Sequence, residues 1–216
     1  MLRIFDPDVL YLVASRALVP GGDYLDRLAA ALEGGVGLLQ MREKGSDRSR
    51  LLDLGRSLRD LCRRHDAGFI VNDDPELALA LDADGVHLGQ SDLPCAAARR
   101  IVGPRCWIGL STHDWDQIDR ARAAGADHLG LGPIFKTDTK DAGPPIGLEI
   151  LRRLRTVHPE LPVFPIGGID IGNIGLVRAA GARGAAVSSA VLRAEDPKEA
   201  ARRMIEILRA PNIQSP

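Results

Sequence analysis

The sequence predicts an α/β fold, a single (β/α)8 TIM barrel that takes in residues 1–216 as one domain. Three observations favour this fold. Short apolar or β-branched segments alternate with longer amphipathic segments along the whole chain. Eight segments of the first kind occur, and no linker or low-complexity stretch divides them. The length of 216 residues is within the range of compact barrels.

The eight apolar segments are predicted to be the strands of the barrel. Each is short and rich in apolar or β-branched residues, such as VLYLVA at the start, which is the composition that strands prefer. In chain order they cover residues 9–14, 37–43, 68–73, 85–89, 106–112, 128–135, 162–168 and 185–192.

The amphipathic segments between and after the strands predict helices on the outside of the barrel. Apolar residues recur at three- and four-residue steps in segments such as 23–35, 47–65, 116–126 and 196–210. Several of these segments open with Asp or Ser and several end on Gly, as helix caps do. An open doubly wound sheet is the alternative fold, but the turn after the first strand lacks the G-x-G-x-x-G pattern of its nucleotide sites.

Composition and charge narrow the classes of partner. Hydrophobic residues make up 45% of the chain, and 28 Lys and Arg residues nearly balance 29 Asp and Glu residues. That balance lacks the basic footprint of a nucleic-acid-binding protein, so the expected partners are small molecules. No apolar run approaches the ~20 residues of a membrane span, and the first residues do not resemble a signal peptide. The oligomeric state stays open, with a homo-oligomer among the alternatives.

The cysteines indicate a reducing compartment. There are three, Cys62, Cys95 and Cys106. An odd number without a close pair argues against a disulfide framework and against a zinc site. The predicted location is therefore cytoplasmic.

Polar residues gather at the predicted C-terminal ends of the strands, where barrels of this type carry their binding and catalytic residues. Gln40, Arg42 and Lys44 occupy alternate positions of the second strand, so their side chains are expected to point the same way. The other polar residues at this end are Asn72, Asp73, Asp92, Ser111, His113, Thr137, Thr139, Lys140, Ser188 and Ser189. Several cations, carboxylates and small donors on one rim predict a site for a highly anionic ligand.

The residue types suggest how such a ligand would be held. Asp73 and Asp92 offer hard oxygen atoms to Mg²⁺, which binds through one or two carboxylates plus substrate phosphates. Arg42 is suited to bidentate phosphate binding, whereas Lys44 and Lys140 are point charges. The IGG and SSA turns resemble the phosphate site that many barrels build after strands seven and eight.

Two simpler interpretations remain open at this point. Asp73 could cap the helix that starts near Pro75, and Asp92 could cap the next helix. His87 and His128 lie in predicted strands, so packing or hydrogen bonding is the expected role for both. His113 is equally compatible with lining the site and with a structural role.

One connection is unusually polar, the segment GPIFKTDTKDAG at residues 132–143. It carries threonines, lysines and glycines between an apolar segment and the next helical pattern. We expect it to act as a lid that becomes ordered when a ligand binds.

Several segments together resemble the thiamine phosphate synthase family. They are LLQMREK, IVNDDPELAL, DGVHLGQSD, IGLSTH, GLGPIFKTDTK, PIGGI and the serine-bearing last strand, and they span roughly residues 10–208. The resemblance implies a transferase that joins 4-amino-2-methyl-5-(diphosphooxymethyl)pyrimidine to a thiazole phosphate, giving thiamine monophosphate and pyrophosphate. It also implies Mg²⁺ as cofactor.

The resemblance also implies roles for individual residues. Those matching the pyrimidine pyrophosphate site are Gln40, Arg42, Lys44, Asn72, Ser111 and Lys140. Those matching the thiazole phosphate site are Thr137, Thr139, Gly168, Ser188 and Ser189. Asp73 and Asp92 match the Mg²⁺ ligands, and Lys140, Arg42 and Ser111 are the residues expected to act on the leaving group.

The chain departs from the usual pattern of the family at Ala14-Ser15, Lys136 and Ser188. Two alternative functions remain. A thiazole tautomerase-type isomerase would use the same barrel, but such proteins typically have histidine where this chain has Pro133. A non-catalytic barrel that binds thiamine precursors is the second alternative, and turnover would distinguish it.

Overall fold

The computed structural model describes residues 9–137 and 143–210, which form an eight-stranded parallel barrel surrounded by helices. The strands are β1 Val9–Ala14, β2 Leu38–Met41, β3 Gly68–Asn72, β4 Gly85–Leu88, β5 Trp107–Thr112, β6 His128–Leu131, β7 Val163–Pro165 and β8 Gly184–Val187. Thr139 and Lys140, both predicted to belong to the site, lie outside the described residues.

Every strand runs parallel to its neighbours, and the chain order of the strands is also their order around the sheet. β1 pairs with β2 on one side and with β8 on the other, with Val13 opposite Gln40 and Leu12 opposite Val187. At the remaining junction, the Phe164 ring of β7 packs against Gly184 of β8. The prediction of a (β/α)8 barrel is therefore confirmed.

The described helices lie outside the strands. They are α1 Tyr24–Glu33, α2 Arg48–Arg64, α3 Pro75–Ala80, α4 Cys95–Val102, α5 Trp115–Ala123, α6 Glu149–Val157, α7 Ile174–Ala179, α8 Ser189–Leu192 and α9 Pro197–Arg209, with a short 3-10 helix at Arg16–Leu18. Four of them are capped by Asp47, Asp74, Asp114 and Asp196, whose side chains accept a backbone N–H three residues further on. Among the described helices, none is both long and apolar enough to cross a bilayer.

The core has two layers because successive residues of a strand face opposite sides of the sheet. Leu10 and Leu12 of β1 pack outward against the helices, as part of the larger apolar cluster. Tyr11 of the same strand points into the barrel and packs with Leu38 and Phe164. Burying a side chain of this size stabilises the fold by about 1.5–3 kcal/mol.

Four strands end two or more residues earlier than predicted, among them the seventh, which was predicted over residues 162–168 and ends at Pro165. β2 stops at Met41 and β6 at Leu131, while the predicted eighth strand, residues 185–192, ends at Val187 and continues as α8. A strand in a barrel extends only as far as its neighbour offers partners, and Leu12 is the last residue of β1 paired to β8. Val191 and Leu192 are buried on a helix instead, since a short apolar run fits a buried strand and a buried helix equally well.

Candidate active site

A cavity of about 820 Å³ opens at the C-terminal ends of the strands. Its wall combines residues from β2, β3 and β5 with the segments that follow β6, β7 and β8. Eight of the predicted site residues line it, namely Gln40, Arg42, Asn72, Ser111, Thr137, Gly168, Ser188 and Ser189. The barrel thus brings together side chains that lie as far as 149 positions apart in the chain, the separation of Gln40 and Ser189.

A second cavity of about 410 Å³ adjoins the first and shares Asn72 with it. It is lined by Lys44 and Asp73. Lys44, predicted to point the same way as Gln40 and Arg42, lines this second cavity, whereas Gln40 and Arg42 line the first. β2 ends at Met41, so Lys44 lies beyond the paired strand. Lys44 therefore lies beside the acidic residues that follow β3.

Asp73 and Asp92 form a carboxyl pair. Their carboxyl groups are close enough for Asp92 to act on the proton of Asp73. The backbone N–H of Asp73 donates to the His87 carbonyl at 2.8 Å, and Asp92 Oδ2 accepts the Gly89 N–H at 2.6 Å. Burial raises the pKa of Asp73 to about 6, and the hydrogen bond and negative charge of Asp92 act in the same direction. The positive charges of Arg42 and Lys44 oppose this rise in pKa.

The capping interpretation of both aspartates is wrong. Asp74 caps α3, with its carboxylate accepting the Leu77 N–H at 2.8 Å. The residue before α4 is Pro94, which has no side-chain capping bond. Asp73 also adopts a left-handed backbone conformation, with φ of +65°, which is uncommon for a residue other than glycine and concentrates at functional sites.

The carboxyl pair fits a hard divalent cation. Two neighbouring carboxylates offer oxygen ligands to a divalent cation, and the positive charge of the cation would offset the like charge that helps to raise the pKa of Asp73. The described residues contain no group of three or more His, Cys, Asp or Glu suited to a metal. A cation held by Asp73 and Asp92 would thus take further oxygens from water or from a ligand, which is the coordination that Mg²⁺ favours with phosphates.

The floor of the main cavity is polar and buried. Gln40 Nε2 donates to the Tyr11 hydroxyl at 2.6 Å. His87 Nε2 lies 3.0 Å from Ser111 Oγ, and His87 Nδ1 lies 3.4 Å from His128 Nε2. Burial lowers the pKa of His87 to about 4 and that of His128 to about 3, so both imidazoles are neutral near pH 7. The hydrogen-bonding role expected of both histidines is confirmed.

Backbone contacts shape the opposite end of the cavity. Gly168 has a φ of +63°, and a side chain there would overlap the Lys136 carbonyl and the Phe135 side chain. Glycine is needed because the segments after β6 and β7 pack directly against each other. The Ser188 hydroxyl donates to the Val13 carbonyl. Because the hydroxyl proton bonds to the Val13 carbonyl, it does not bond to a ligand. Ser188 can offer a ligand its hydroxyl oxygen as an acceptor and its backbone N–H as a donor.

Several cavity residues escaped the sequence analysis. They include Tyr11, Phe164, Asp170 and Arg193. Arg193 donates from Nε to the Leu18 carbonyl at 3.4 Å and follows α8. The sequence analysis predicted a strand as far as residue 192, which would place residue 193 beyond the rim. Because β8 ends at Val187 and α8 follows, Arg193 lies at the cavity. Tyr11 could have been found from the alternation along β1, which turns it into the barrel.

His113, left open by the sequence, both lines the cavity and supports its wall. Its Nδ1 is 2.5 Å from the Gly132 carbonyl oxygen. A carbonyl oxygen only accepts, so His113 Nδ1 is the donor of this hydrogen bond. The side chain thereby ties the end of β5 to the segment that follows β6.

Comparison with known proteins gives a consistent family. The model for "Thiamine monophosphate synthase" matches residues 10–191. The chain is 49% identical over 185 residues to the thiamine-phosphate synthase of Synechococcus sp., and it covers 52% of that protein. It is 46% identical over 200 residues to the thiamine-phosphate synthase of Moorella thermoacetica, covering 92% of this chain and 95% of that protein.

The relatives differ in length. The chain spans about half of the Synechococcus relative and 54% of the one from Gloeobacter violaceus, but nearly all of the Moorella protein. Among solved structures, the thiamine phosphate pyrophosphorylase from Pyrococcus furiosus superposes with a TM-score of 0.85 at 38% identity, over 94% of this chain and 96% of that one.

Proposed function

Because the chain belongs to the thiamine monophosphate synthase family, we propose that it is a transferase that makes thiamine monophosphate. Its substrates are 4-amino-2-methyl-5-(diphosphooxymethyl)pyrimidine and thiazole phosphate. The thiazole nitrogen bonds to the pyrimidine methylene carbon, the C–O bond to the pyrophosphate breaks, and the electron pair leaves with pyrophosphate. The observation that carries this proposal is one cavity with anion-binding groups at both ends and a carboxyl pair beside one of them.

The pyrophosphate end is assigned to the residues near β2, β3 and β5. Arg42, Asn72 and Ser111 line the main cavity, and Asn72 also lines the adjoining cavity that contains Asp73. Arg42 suits an oxyanion because its guanidinium presents two parallel N–H donors. Lys44 adds a charge from the adjoining cavity. These groups stabilise the leaving pyrophosphate most when the C–O bond is breaking. Because that stabilisation is stronger in the transition state than in the bound substrate, it increases the rate.

The Asp73 and Asp92 carboxylates are assigned to Mg²⁺. When bound there, Mg²⁺ would offset part of the pyrophosphate charge and so make it a better leaving group. Gln40 is assigned to the same substrate, since its amide reaches the cavity from a fixed position on the Tyr11 hydroxyl.

The thiazole phosphate end is assigned to Thr137, the Gly168 backbone, Ser188 and Ser189. Hydroxyl and backbone N–H groups hold a phosphate without taking part in the chemistry. Holding both substrates in one cavity converts the condensation into a reaction between neighbours, which lowers its barrier. Thr139 and Lys140, which lie outside the described residues, are assigned to the loop that reaches both substrates.

The alternatives are less well supported. A tautomerase would need only the thiazole phosphate end, whereas this chain also has the carboxyl pair and Arg42 beside the cavity. Pro133 lines the cavity at the position where such isomerases typically have histidine. A binding-only barrel would have no use for groups that stabilise a leaving group.

The test is direct turnover. Purified protein is mixed with both substrates and Mg²⁺, and thiamine monophosphate and pyrophosphate are measured in equal amounts. Omitting the pyrimidine substrate gives the isomerase control, since a tautomerase would still convert its thiazole substrate. If neither product forms and the Asp73→Asn/Asp92→Asn variant binds both substrates as the parent protein does, a binding-only role replaces the proposal.

A cytoplasmic location is part of the proposal. Cys62, Cys95 and Cys106 are all free thiols. Unpaired cysteines are the usual state in a reducing compartment. Fractionation of the source cells would test this location.

A further inference from the structure

A pair of imidazoles occupies the centre of the barrel beneath the cavity. His87 comes from β4 and His128 from β6, with Gly109 of β5 between them. A side chain on Gly109 would overlap both His128 Nε2 and His87 Nδ1. A residue with any side chain at position 109 would therefore displace the pair, so the three strands are matched to hold it.

The pair continues into the cavity wall through a short chain of contacts. Ser111 Oγ lies 3.0 Å from His87 Nε2, and His87 Nδ1 lies 3.4 Å from His128 Nε2. The chain ends at His128 Nδ1, which is buried without a hydrogen-bond partner among the described residues. Ser111 and His87 line the cavity, whereas His128 is 0% exposed.

Both rings are buried, and the hydrogen-bond partners of their side chains are Ser111 and each other, so among the described residues no bonded carboxylate stabilises a charge on either ring. Each ring therefore has one N–H and one bare nitrogen. The two nitrogens that face each other must be one donor and one acceptor. In the first arrangement His128 Nε2–H donates to His87 Nδ1, and His87 Nε2–H donates to Ser111 Oγ. In the second arrangement His87 Nδ1–H donates to His128 Nε2, and His128 carries its own proton on Nδ1. The Ser111 hydroxyl then donates to the bare His87 Nε2.

The unpartnered His128 Nδ1 distinguishes these arrangements. In the first it is a bare nitrogen, and in the second it is an N–H buried with no acceptor. An orphaned buried N–H is rarer in proteins than an unsatisfied acceptor, so the first arrangement is favoured. We infer that His128, although it reaches no substrate, fixes the proton positions of His87 and thereby keeps Ser111 as a hydrogen-bond donor toward the cavity.

His128 is then a positioning residue. The hydroxyl of Ser111 accepts from His87 and has its own proton left over for a ligand oxygen or nitrogen. This orientation suits an oxyanion, which accepts but never donates. The identity of that acceptor rests on the proposed function, in which it belongs to the pyrimidine pyrophosphate substrate, whereas the proton positions themselves do not.

The proton positions are measurable without substrate. Two-bond ¹H–¹⁵N correlation spectra of the whole protein with labelled histidine distinguish a bare ring nitrogen from a protonated one. The chain has five histidines, and replacing each in turn assigns the signals. His87 and His128 should both carry the proton on Nε2 at neutral pH. A proton on His128 Nδ1 would overturn the inference, whether or not the protein makes thiamine monophosphate.

The functional arm uses a double-mutant cycle. His128→Phe should lower kcat/KM for the pyrimidine substrate about tenfold, the usual size of one charge-assisted hydrogen bond at its weaker limit, and leave KM for thiazole phosphate unchanged. In a Ser111→Ala background the same change should have no further effect, since the receiving hydroxyl is gone. If the two effects multiply instead, His128 acts through general packing and the inference fails.

A matched control comes from the next residue of β6. Leu129 is equally buried but belongs to the outer apolar cluster. Leu129→Val should lower the melting temperature while leaving the His87 ring-proton position and kcat/KM unchanged. A shift of the His87 proton in this variant would mean that any disturbance of β6 moves it.

Discussion

The two ends of the barrel use aspartates in opposite ways. Before β4 and β6, Asp84 and Asp127 accept the backbone N–H groups of Phe69 and Ile108 at 2.8 and 2.7 Å. Asp127 is also 2.5 Å from Arg99. At the other end, Asp73 and Asp92 are paired with each other, and burial with the neighbouring carboxyl raises the pKa of Asp73.

The difference separates structural carboxylates from functional ones. Each aspartate at the N-terminal end accepts a backbone N–H from a neighbouring strand and so joins two strands, although burial raises the pKa of Asp84 as it does that of Asp73. The pair at the C-terminal end brings two like charges together, which costs energy until a proton or cation is bound. In barrels of this type, functional residues generally lie at the C-terminal ends of the strands, and residues at the N-terminal ends contribute to stability.

The largest expected effect comes from removing the paired charges. Asp73→Asn and Asp92→Asn should each lower kcat by roughly 100-fold or more, if each loss weakens the stabilisation of the leaving group by about 3 kcal/mol. The melting temperature should stay the same or rise, because like-charge repulsion is relieved. Steady-state kinetics at saturating Mg²⁺ and thermal denaturation measure the two quantities.

Asp82→Asn is the matched control for these variants, since Asp82 also has a positive φ, of +51°, and lies away from the cavity. Its kinetics should match those of the parent protein. Normal turnover in both paired variants, with Mg²⁺ still required, would remove Asp73 and Asp92 from the metal site.

The opposite end should respond in stability and not in activity. Asp127→Ala leaves the Ile108 N–H without its acceptor and Arg99 without its carboxylate, which should lower the free energy of unfolding by about 2–3 kcal/mol. The kcat measured well below the melting temperature should be unchanged. Urea denaturation with parallel assays tests both, and a variant that loses activity while keeping its stability would break the comparison between the two ends.

The buried imidazoles predict a pH dependence that belongs to neither end. In the unfolded chain His128 has the ordinary histidine pKa of 6.5, whereas in the native protein its pKa is about 3. Its contribution to stability is therefore complete above about pH 6.5 and falls as the pH drops below that value, by roughly 2 kcal/mol at pH 5. Urea midpoints from pH 7 to pH 5 should fall less steeply in His128→Phe, and equal slopes in the two proteins would contradict the low native pKa.

The smallest effects should distinguish the two sides of the cavity. Arg42→Ala should chiefly lower kcat/KM for the pyrimidine substrate, roughly tenfold for one lost charged hydrogen bond to the leaving group. Thr137→Val, which preserves shape but removes the hydroxyl, should raise KM for thiazole phosphate by less. Varying each substrate in turn measures both values. If both variants weaken binding of the same substrate, the assignment of the two sides is wrong.

The sequence by itself determined the barrel and most members of its site. Alternating apolar and amphipathic segments depend on local periodicity, which is readable along the chain, and the C-terminal ends of parallel strands must meet at one rim. Gln40, Arg42, Asn72 and Ser111 therefore came to the same cavity as predicted. Their assigned roles remain predictions.

Tertiary structure decided where the strands stop and which partner each polar atom finds. A strand ends where its neighbour ceases to pair, so no local pattern showed that Lys44 would turn toward Asp73 or that Arg193 would return to the rim. The Ser188 proton is bound by the carbonyl of Val13 on a strand 175 positions away. Hydrogen-bond partners and burial at the centre of the barrel depend on contacts between distant strands, and those contacts alone place His128 behind His87 and Ser111.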